Sequence, residues 1–536
     1  ENLRKANERG KGNQTNENQV YDAPSGNFLE DYAKQVISNP DYRKNSLKEP
    51  SVKTEKPLSN FDCIHAPCEF TCPTGQDIPT YLHHVSHGNL ESAARVVTDT
   101  NPFPQTTGMV CDHLCQTKCT RINYDSPLLI REVKRVIAEN AANDSLEARP
   151  SEKSGKIHKA AIIGAGPSGL SCAYFLRKAG FELEIFETKP KPGGMVSGAI
   201  PAFRLPDKEF SLDVDRITGM GIPVHYNTKI DRDTFDELKS KNDFVYIAAG
   251  AQKSKPLSIE GINTEGVMDP LQFLFDVKSG STEFSGKQVV IIGGGNTAMD
   301  AARVAWRLVG ENGKVTIAYR RKIKDMPADL GEIKAVMEEG VEIMELVAPV
   351  KVNVENGRVF SLTLRKMKQG LPDASGRARP VEIPGSDFQI PADTIIPAIG
   401  QDLAIDLPAE ALQLKIPGDY ETQIPGVFIG GDAMRGASTA INAIGDGRKA
   451  AQEIINKAGV DFQTKSENSR PHLGFRQHIL ERSKRVKGVA INETEPSGRR
   501  NFNLVQTPLT VEEAVTEAAR CLKCDEVCSI CTTVCP

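Results

Sequence analysis

Two glycine-rich turns, each fed by a short apolar, β-prone run and each opening a helix-like segment, constrain this chain more than any other feature. The first is Gly164-Ala165-Gly166-Pro167-Ser168-Gly169 after Ala160-Ala161-Ile162-Ile163, and the second is Gly293-Gly294-Gly295-Asn296-Thr297-Ala298 after Val289-Val290-Ile291-Ile292. In such a strand–turn–helix the first glycine permits the tight turn, the second lets the backbone approach a pyrophosphate, and the third lets the helix pack on the strand. The helix N-terminus then faces the phosphate charge. Ala298 in place of the last glycine is an accepted variant. Two loops of this kind imply two Rossmann-like α/β units in one chain.

The residues downstream of each loop distinguish the two units. Glu187 closes the apolar run Leu183–Phe186, where an acid binds a ribose hydroxyl. Farther on, Val427-Phe428-Ile429-Gly430-Gly431-Asp432 is a strand ending in Gly-Asp, the usual second contact of FAD in flavoproteins with two dinucleotide units, its aspartate on the ribityl chain. The second loop's next strand, Val315–Tyr319, ends instead in Arg320, Arg321 and Lys322. Arginine there suits a 2'-phosphate. At about 1.5–3 kcal/mol per charge-assisted hydrogen bond, partial engagement predicts roughly a ten- to hundredfold preference for NADPH over NADH. A solvated surface charge run is the other reading of those three residues. An internal echo, Asp243–Ala251 and Asp393–Gln401, reads as a pair of crossings between units. It places a nicotinamide unit of about 254–385 inside a flavin unit built from 155–253 and 386–460.

At roughly 150 residues per domain, the chain's 536 residues suggest about three or four domains. The formal net charge is -4 with both signs well mixed, which gives no reason to expect nucleic acid or an anionic membrane as partner. The most apolar stretch, Ala160 to Leu176, is broken by three glycines and a proline, so it scans as strand, turn and helix and not as a membrane span. No charged segment leading into an apolar one marks a secretion signal, so a cytoplasmic location with reduced thiols is expected. Residues 1–58 are polar and suit a linker or arm. The absence of an initiating methionine and the Cys-Pro end lead us to expect that both ends are cut.

Eleven of the twelve cysteines lie outside the dinucleotide region. Cys63, Cys68 and Cys72 precede Cys111, Cys115 and Cys119, and a tail carries Cys521, Cys524, Cys528, Cys531 and Cys535. The run Cys528-x2-Cys531-x3-Cys535-Pro536 matches the last part of a bacterial ferredoxin motif, with Cys524 one residue farther out than that motif has it and Cys521 surplus. A flavin that takes electrons in pairs needs one-electron centres to pass them on singly, so loops between thiol groups read as an electron conduit. Zinc is the alternative occupant, because two three-cysteine groups and His65 also suit a tetrahedral ion. Cys172 stands alone in the helix after the first loop, which argues against a disulfide-reductase-like flavoenzyme, since that would need a Cys-x2-Cys near the flavin.

The order of motifs resembles the small, flavin-containing subunit of glutamate synthase and its relatives, including the N-terminal half of dihydropyrimidine dehydrogenase. The segments that carry the resemblance include Cys68-Glu69-Phe70-Thr71-Cys72-Pro73, Gly198-Ala199-Ile200-Pro201-Ala202-Phe203-Arg204, Tyr319-Arg320-Arg321 and Ala443-Ile444-Gly445-Asp446-Gly447-Arg448. The opening Asp62-Cys63-Ile64-His65-Ala66-Pro67-Cys68 and the cysteine-rich tail look most like the selenate reductase iron–sulfur subunit branch, whose members are larger. The resemblance implies FAD, NADP(H) and two [4Fe-4S] clusters, with Cys63, Cys68 and Cys119 on one cluster and Cys72, Cys111 and Cys115 on the other. The family's first cysteine falls here at Asn60 and its Glu or Gln ligand at Lys134, both poor ligands. Asp62, His65, Glu132 or water are the available substitutes, and a three-iron form or a missing cluster are further alternatives. The resemblance also extends the cofactor-binding set to Gly194, Arg204, Gly250, Gly400, Ala443 and Ile444.

The resulting expectation is an α/β flavoprotein with two nested Rossmann-like dinucleotide-binding units. An N-terminal α-helical iron–sulfur domain (59–150) precedes them, and a linker (461–508) and a ferredoxin-like cluster module (509–536) come after. Its activity would be electron transfer between NADPH and a partner: a redox subunit, a missing domain, a ferredoxin or a substrate-reducing subunit. No side chain need act as acid, base or nucleophile, so no catalytic residue is named. A scaffold subunit with regulatory dinucleotide sites is the alternative from another class.

Overall fold

A computed structural model describes residues 66–142, 157–373, 376–465, 480 and 486–525. Cys63, Cys528, Cys531 and Cys535, with Asn60, Asp62 and His65, lie outside the described residues.

The first dinucleotide loop belongs to a five-stranded parallel sheet. Its strands are β1 (Lys159–Ile163), β2 (Glu182–Phe186), β3 (Val224–His225), β4 (Phe244–Ile247) and β14 (Val427–Ile429), in the order β14-β4-β1-β2-β3. β4 and β14 are buried throughout, as parallel strands covered on both faces should be. The helix Pro167–Lys178 leaves β1 directly after the loop and packs along the helix Ala440–Ala458. Gly169 and Gly447 make these approaches possible: a Cβ on Gly169 would lie 1.9 Å from the Gly164 carbonyl oxygen, and one on Gly447 2.2 Å from that of Ser168.

The second loop belongs to a four-stranded parallel sheet of β6 (Gln288–Ile292), β7 (Lys314–Tyr319), β8 (Glu342–Glu345) and β12 (Thr394–Pro397), in the order β12-β6-β7-β8. A three-stranded antiparallel sheet of β9 (Val347–Glu355), β10 (Arg358–Pro372) and β11 (Ala378–Pro391) is inserted between β8 and β12. The short strands β5 (Lys253–Ser254) and β13 (Gln401–Asp402) pair antiparallel where the chain passes between units.

This topology corrects the boundary drawn from the internal echo. Both echo segments are the corresponding strand of their own sheet: β4 lies beside β1, and β12 lies beside β6. Each is preceded by an aspartate that caps its neighbour, with Lys159 N–H donating to Asp243 at 2.9 Å and Gln288 N–H to Asp393 at 2.9 Å. Residues 386–402 therefore belong with the nicotinamide unit, and the chain returns to the flavin sheet only after β13.

The helical domain gathers Ile78–Ser86, Leu90–Thr100 and Ile130–Asn140 around Tyr81, Leu82, Val97, Val133 and Ile137. A second correction concerns the tail. The helix Val511–Ala518, started by a Thr510/Glu513 capping box, places Ala514 and Ala518 in this same core together with Leu509. Residues 486–508 are likewise no free linker. β15 (Asn492–Glu493) and β16 (Gln506–Thr507) form a small hairpin, Val505 N–H donates to Phe203 O, and the Arg500 guanidinium lies 4.1 Å from the Trp306 ring centroid. Apolar residues spaced on one face, hidden in a polar composition, tie the tail to both the helical domain and the nicotinamide unit. Among the described residues no helix is long and apolar enough to cross a membrane.

Candidate active site

A cavity of about 320 Å³ opens where the flavin sheet, the nicotinamide unit and the helical domain meet. The first loop forms one wall, through Gly164, Gly166, Pro167 and Ser168, with Glu187, Gly194 and Gly250 beside them. Gly164 has φ +108°, and a Cβ there would lie 2.4 Å from Ala248 O, so the tight turn admits only glycine. Gly166 has nothing within 4 Å of where its Cβ would be: its exposed face looks into free space, a cradle that a methyl group would fill. The buried Glu187 carboxylate accepts Ala165 N–H at 2.8 Å and Lys189 N–H at 2.8 Å, which fixes the loop against the end of β2.

Asp432 enters from the opposite side. Gly431, at φ +63°, donates its N–H to the buried Asp446 carboxylate at 3.1 Å and turns the chain over Ser168. This turn leaves Asp432 Oδ1 buried with no hydrogen-bond partner, and burial pushes its carboxyl pKa up to about 6. An orphaned acceptor facing a glycine cradle is what a bound polyol with a phosphate would satisfy, so the residues present fit a flavin dinucleotide. Ala443 also lines the cavity, whereas Ile444 packs in the core and contributes its carbonyl to Ser171 at 2.8 Å.

The nicotinamide unit supplies Asn296, Thr297 and Asp300 to the same cavity. Gly293 and Gly295 repeat the geometry of the first loop: a Cβ on Gly293 would meet Ala398 O at 2.2 Å, and Gly295 faces open space. Ala298 is buried in the position of the third glycine, and Gly400 adopts φ +126° just before β13; neither lines the cavity. Arg204 crosses between units, pairing with Asp300 at 2.7 Å and Glu332 at 2.9 Å, and those carboxylates hold its guanidinium charged. Asp300 and its pairing with Arg204 were not legible in the chain, because the partners lie 96 residues apart.

The two arginines after β7 part ways. Arg321 is buried, donates to Ala378 O at 3.0 Å and pairs with Asp373 at 2.7 Å, so it anchors the inserted antiparallel sheet. Of the two arginines expected at the cofactor, it is the one already engaged within the protein. Arg320 is exposed at the end of β7, beside the strand that feeds the second loop.

The helical domain closes the third side with Val110 and Asp112, the residues flanking Cys111. Asp112 Oδ2 is buried without a partner, and burial pushes its pKa up to about 6. This residue escaped sequence reasoning, although its place beside Cys111 was a usable signal. Cys72, Cys111 and Cys115 sit close enough to influence one another. Burial drives the Cys111 and Cys115 thiols up while the nearby Lys134 ammonium opposes it. Glu132 is committed through Oε1 to Arg131 at 2.7 Å. Cys68 and Cys119 form a separate group with Cys521 and Cys524 around a small apolar void.

The arrangement is that of a two-dinucleotide flavoprotein reductase joined to a helical thiol-rich domain. Comparison with known proteins places it further. Residues 158–447 match the model of the pyridine nucleotide-disulphide oxidoreductase family, and residues 47–146 match dihydropyrimidine dehydrogenase domain II, 4Fe-4S cluster. The chain is 35% identical to NADPH-Fe(3+) oxidoreductase subunit beta of Geobacter sulfurreducens, over 87% of this chain and 76% of that protein. It is 34% identical to the glutamate synthase [NADPH] small chain of Escherichia coli, over 74% of this chain and 89% of that one. Mycobacterium tuberculosis FprA in complex with NADPH shares the fold at 18% identity, with a TM-score of 0.50 over 57% of this chain and 85% of FprA. The chain belongs to the pyridine nucleotide-disulphide oxidoreductase family, in the group of the glutamate synthase small chain. It is an oxidoreductase of the kind that uses FAD, NADP(H) and [4Fe-4S] clusters.

Proposed function

We propose that this chain is the subunit through which NADPH electrons enter a larger enzyme, leaving through the helical domain to a redox partner. Gly164, Gly166, Ser168, Glu187 and Asp432 hold FAD; Asn296, Thr297 and Arg320 hold NADP(H); Cys72, Cys111 and Cys115 hold the cluster nearest the cavity. Held there, these groups would supply hydride transfer between nicotinamide and flavin and one-electron transfer onward. The chain's own residues position and shield. The Arg204–Asp300–Glu332 ion pairs lock the nicotinamide unit against the flavin unit, and Val110 and Asp112 wall the cavity on the side of Cys111.

The observation that carries this reading is that one cavity is walled by both dinucleotide loops and by the loop bearing Cys111. The relatives' names, NADPH-Fe(3+) oxidoreductase subunit beta and glutamate synthase [NADPH] small chain, support NADPH and a subunit role. Steady-state kinetics with NADPH and NADH, using a one-electron dye as acceptor, test it: a higher kcat/KM with NADPH supports the reading, and equal values refute the cofactor assignment.

A further inference from the structure

The sequence leaves the N-terminal thiol groups short of ligands and the tail with one too many, and the fold brings these two irregularities together. Cys68, from the short helix Pro67–Thr71, and Cys119, before the turn Thr120–Asn123, line a small apolar void with Cys521 and Cys524. The Cys524 thiol lies 3.4 Å from Thr120 Oγ1, next to Cys119. The Cys521–Cys524 loop is folded as a knuckle, with Lys523 at φ +46° and its N–H directed at Cys521 Sγ, 3.5 Å away. Left-handed backbone at a lysine costs energy and persists only where its surroundings fix it, and an amide aimed at sulfur is the kind of contact that tunes a cluster thiolate.

The loop is fixed at its base by buried charge. Arg121 donates to Arg520 O at 3.0 Å, Arg520 donates to Ser126 O at 2.9 Å, and Glu517 accepts Leu129 N–H at 2.9 Å. Arg520 and Glu517 are almost wholly buried, so the tail's seat on the helical domain is an interior contact built around these cysteines.

We propose that Cys68, Cys119, Cys521 and Cys524 together hold one iron–sulfur cluster. The tail thus completes the N-terminal domain and does not begin a separate ferredoxin module there. The four thiols surround the void from two distant parts of the chain. The proposal rests on the iron–sulfur reading above and changes its ligand set: the two tail thiols take the places that the resemblance gives to Asn60 and Cys63.

The test uses the full chain prepared anaerobically, as wild type and as Cys521→Ala, Cys524→Ala and Cys63→Ala. Iron, zinc and acid-labile sulfide are assayed, with low-temperature EPR of the dithionite-reduced protein and flavin content as the check on folding. The expected result is that Cys521→Ala and Cys524→Ala each lose one cluster's iron and sulfide and its EPR signal, while Cys63→Ala keeps them. Unchanged iron in both tail variants, or loss of the same cluster in Cys63→Ala, overturns the ligand set. Wild-type protein without iron overturns the underlying reading instead. Should the tail variants misfold, differential alkylation of native wild-type protein decides. Cys68, Cys119, Cys521 and Cys524 should be protected together and become reactive together after anaerobic iron chelation. Labelling of Cys521 in the iron-loaded protein would overturn the proposal.

Discussion

Gly166 and Gly169 sit three residues apart in one loop, and replacing each by alanine should have different effects. A Cβ on Gly169 would lie 1.9 Å from Gly164 O and 3.2 Å from Ile162 Cγ2, so the helix Pro167–Lys178 must move away from β1. Overpacking of this kind costs about 1–3 kcal/mol, and backbone clashes belong at the upper end. The better helix propensity of alanine returns about 1 kcal/mol, leaving a net loss of roughly 2 kcal/mol. Gly166 has φ −78° and ψ 178°, a conformation open to any residue, with nothing within 4 Å of its Cβ position. Gly166→Ala should therefore leave the deflavinated chain within about 1 kcal/mol of wild type, the unfolded-chain entropy it removes being offset by alanine's poorer capping of the helix. It should also weaken FAD binding roughly ten- to a hundredfold, since the methyl fills the cradle and displaces a phosphate from one backbone donor at about 1.5–3 kcal/mol. Urea unfolding of the deflavinated protein, monitored by circular dichroism, reads the first effect, and FAD fluorescence titration the second. Trp306, the chain's single tryptophan, lies in the nicotinamide unit and serves as a control that this unit is undisturbed. Gly166→Ala that is as unstable as Gly169→Ala, or that binds FAD as wild type does, would refute the reasoning.

Arg320→Ala should lower the NADPH-to-NADH ratio of kcat/KM about tenfold, whereas Arg321→Ala should leave it unchanged and loosen the inserted sheet through its Asp373 contact, seen as faster hydrogen exchange in β10 and β11. Glu339, its side chain fully buried between Arg303 and Arg307 at 2.7 and 3.1 Å, should cost about 3–5 kcal/mol when changed to alanine, because the buried Arg307 guanidinium loses its counter-ion while Arg303 keeps only Glu332; a loss under 1 kcal/mol by urea unfolding would contradict this. The folded chain holds a proton on Asp432 up to about pH 6, while the unfolded carboxyl releases it near pH 4. At this residue the folded state thus binds more protons in that window, and its contribution to the stability of the deflavinated protein should fall as pH rises through it. At about 1.4 kcal/mol per pKa unit, Asp432→Asn should remove up to ~3 kcal/mol of pH-dependent loss; a stability difference, wild type minus variant, that grows between pH 4 and 7 by urea unfolding would give the wrong sign.

Local patterns were the legible part of this chain. The glycines at 164, 166 and 169 and the acid at 187 express requirements met within one strand–turn–helix, so their spacing carries the information. The echo at 243–251 and 393–401 was visible too, but each segment serves its own sheet, and only strand pairing tells a repeat from a crossing. Arg321 looked like Arg320 because its partner, Asp373, arrives on a hairpin 52 residues later. In the tail, the helix-like spacing of Val511 to Ala519 was legible and a helix forms at Val511–Ala518, but its seat in the helical domain's core was not, because Arg121 meets Arg520 across 399 residues.

The central claim is that one cavity couples NADPH to the thiol-held clusters. Anaerobic titration of the full chain with NADPH tests it most directly, with flavin absorbance and low-temperature EPR recorded on the same samples. The account predicts bleaching of the flavin band together with the appearance of a reduced iron–sulfur signal. Flavin that stays oxidised under NADPH, or flavin that bleaches while clusters reducible by dithionite remain silent, would contradict it.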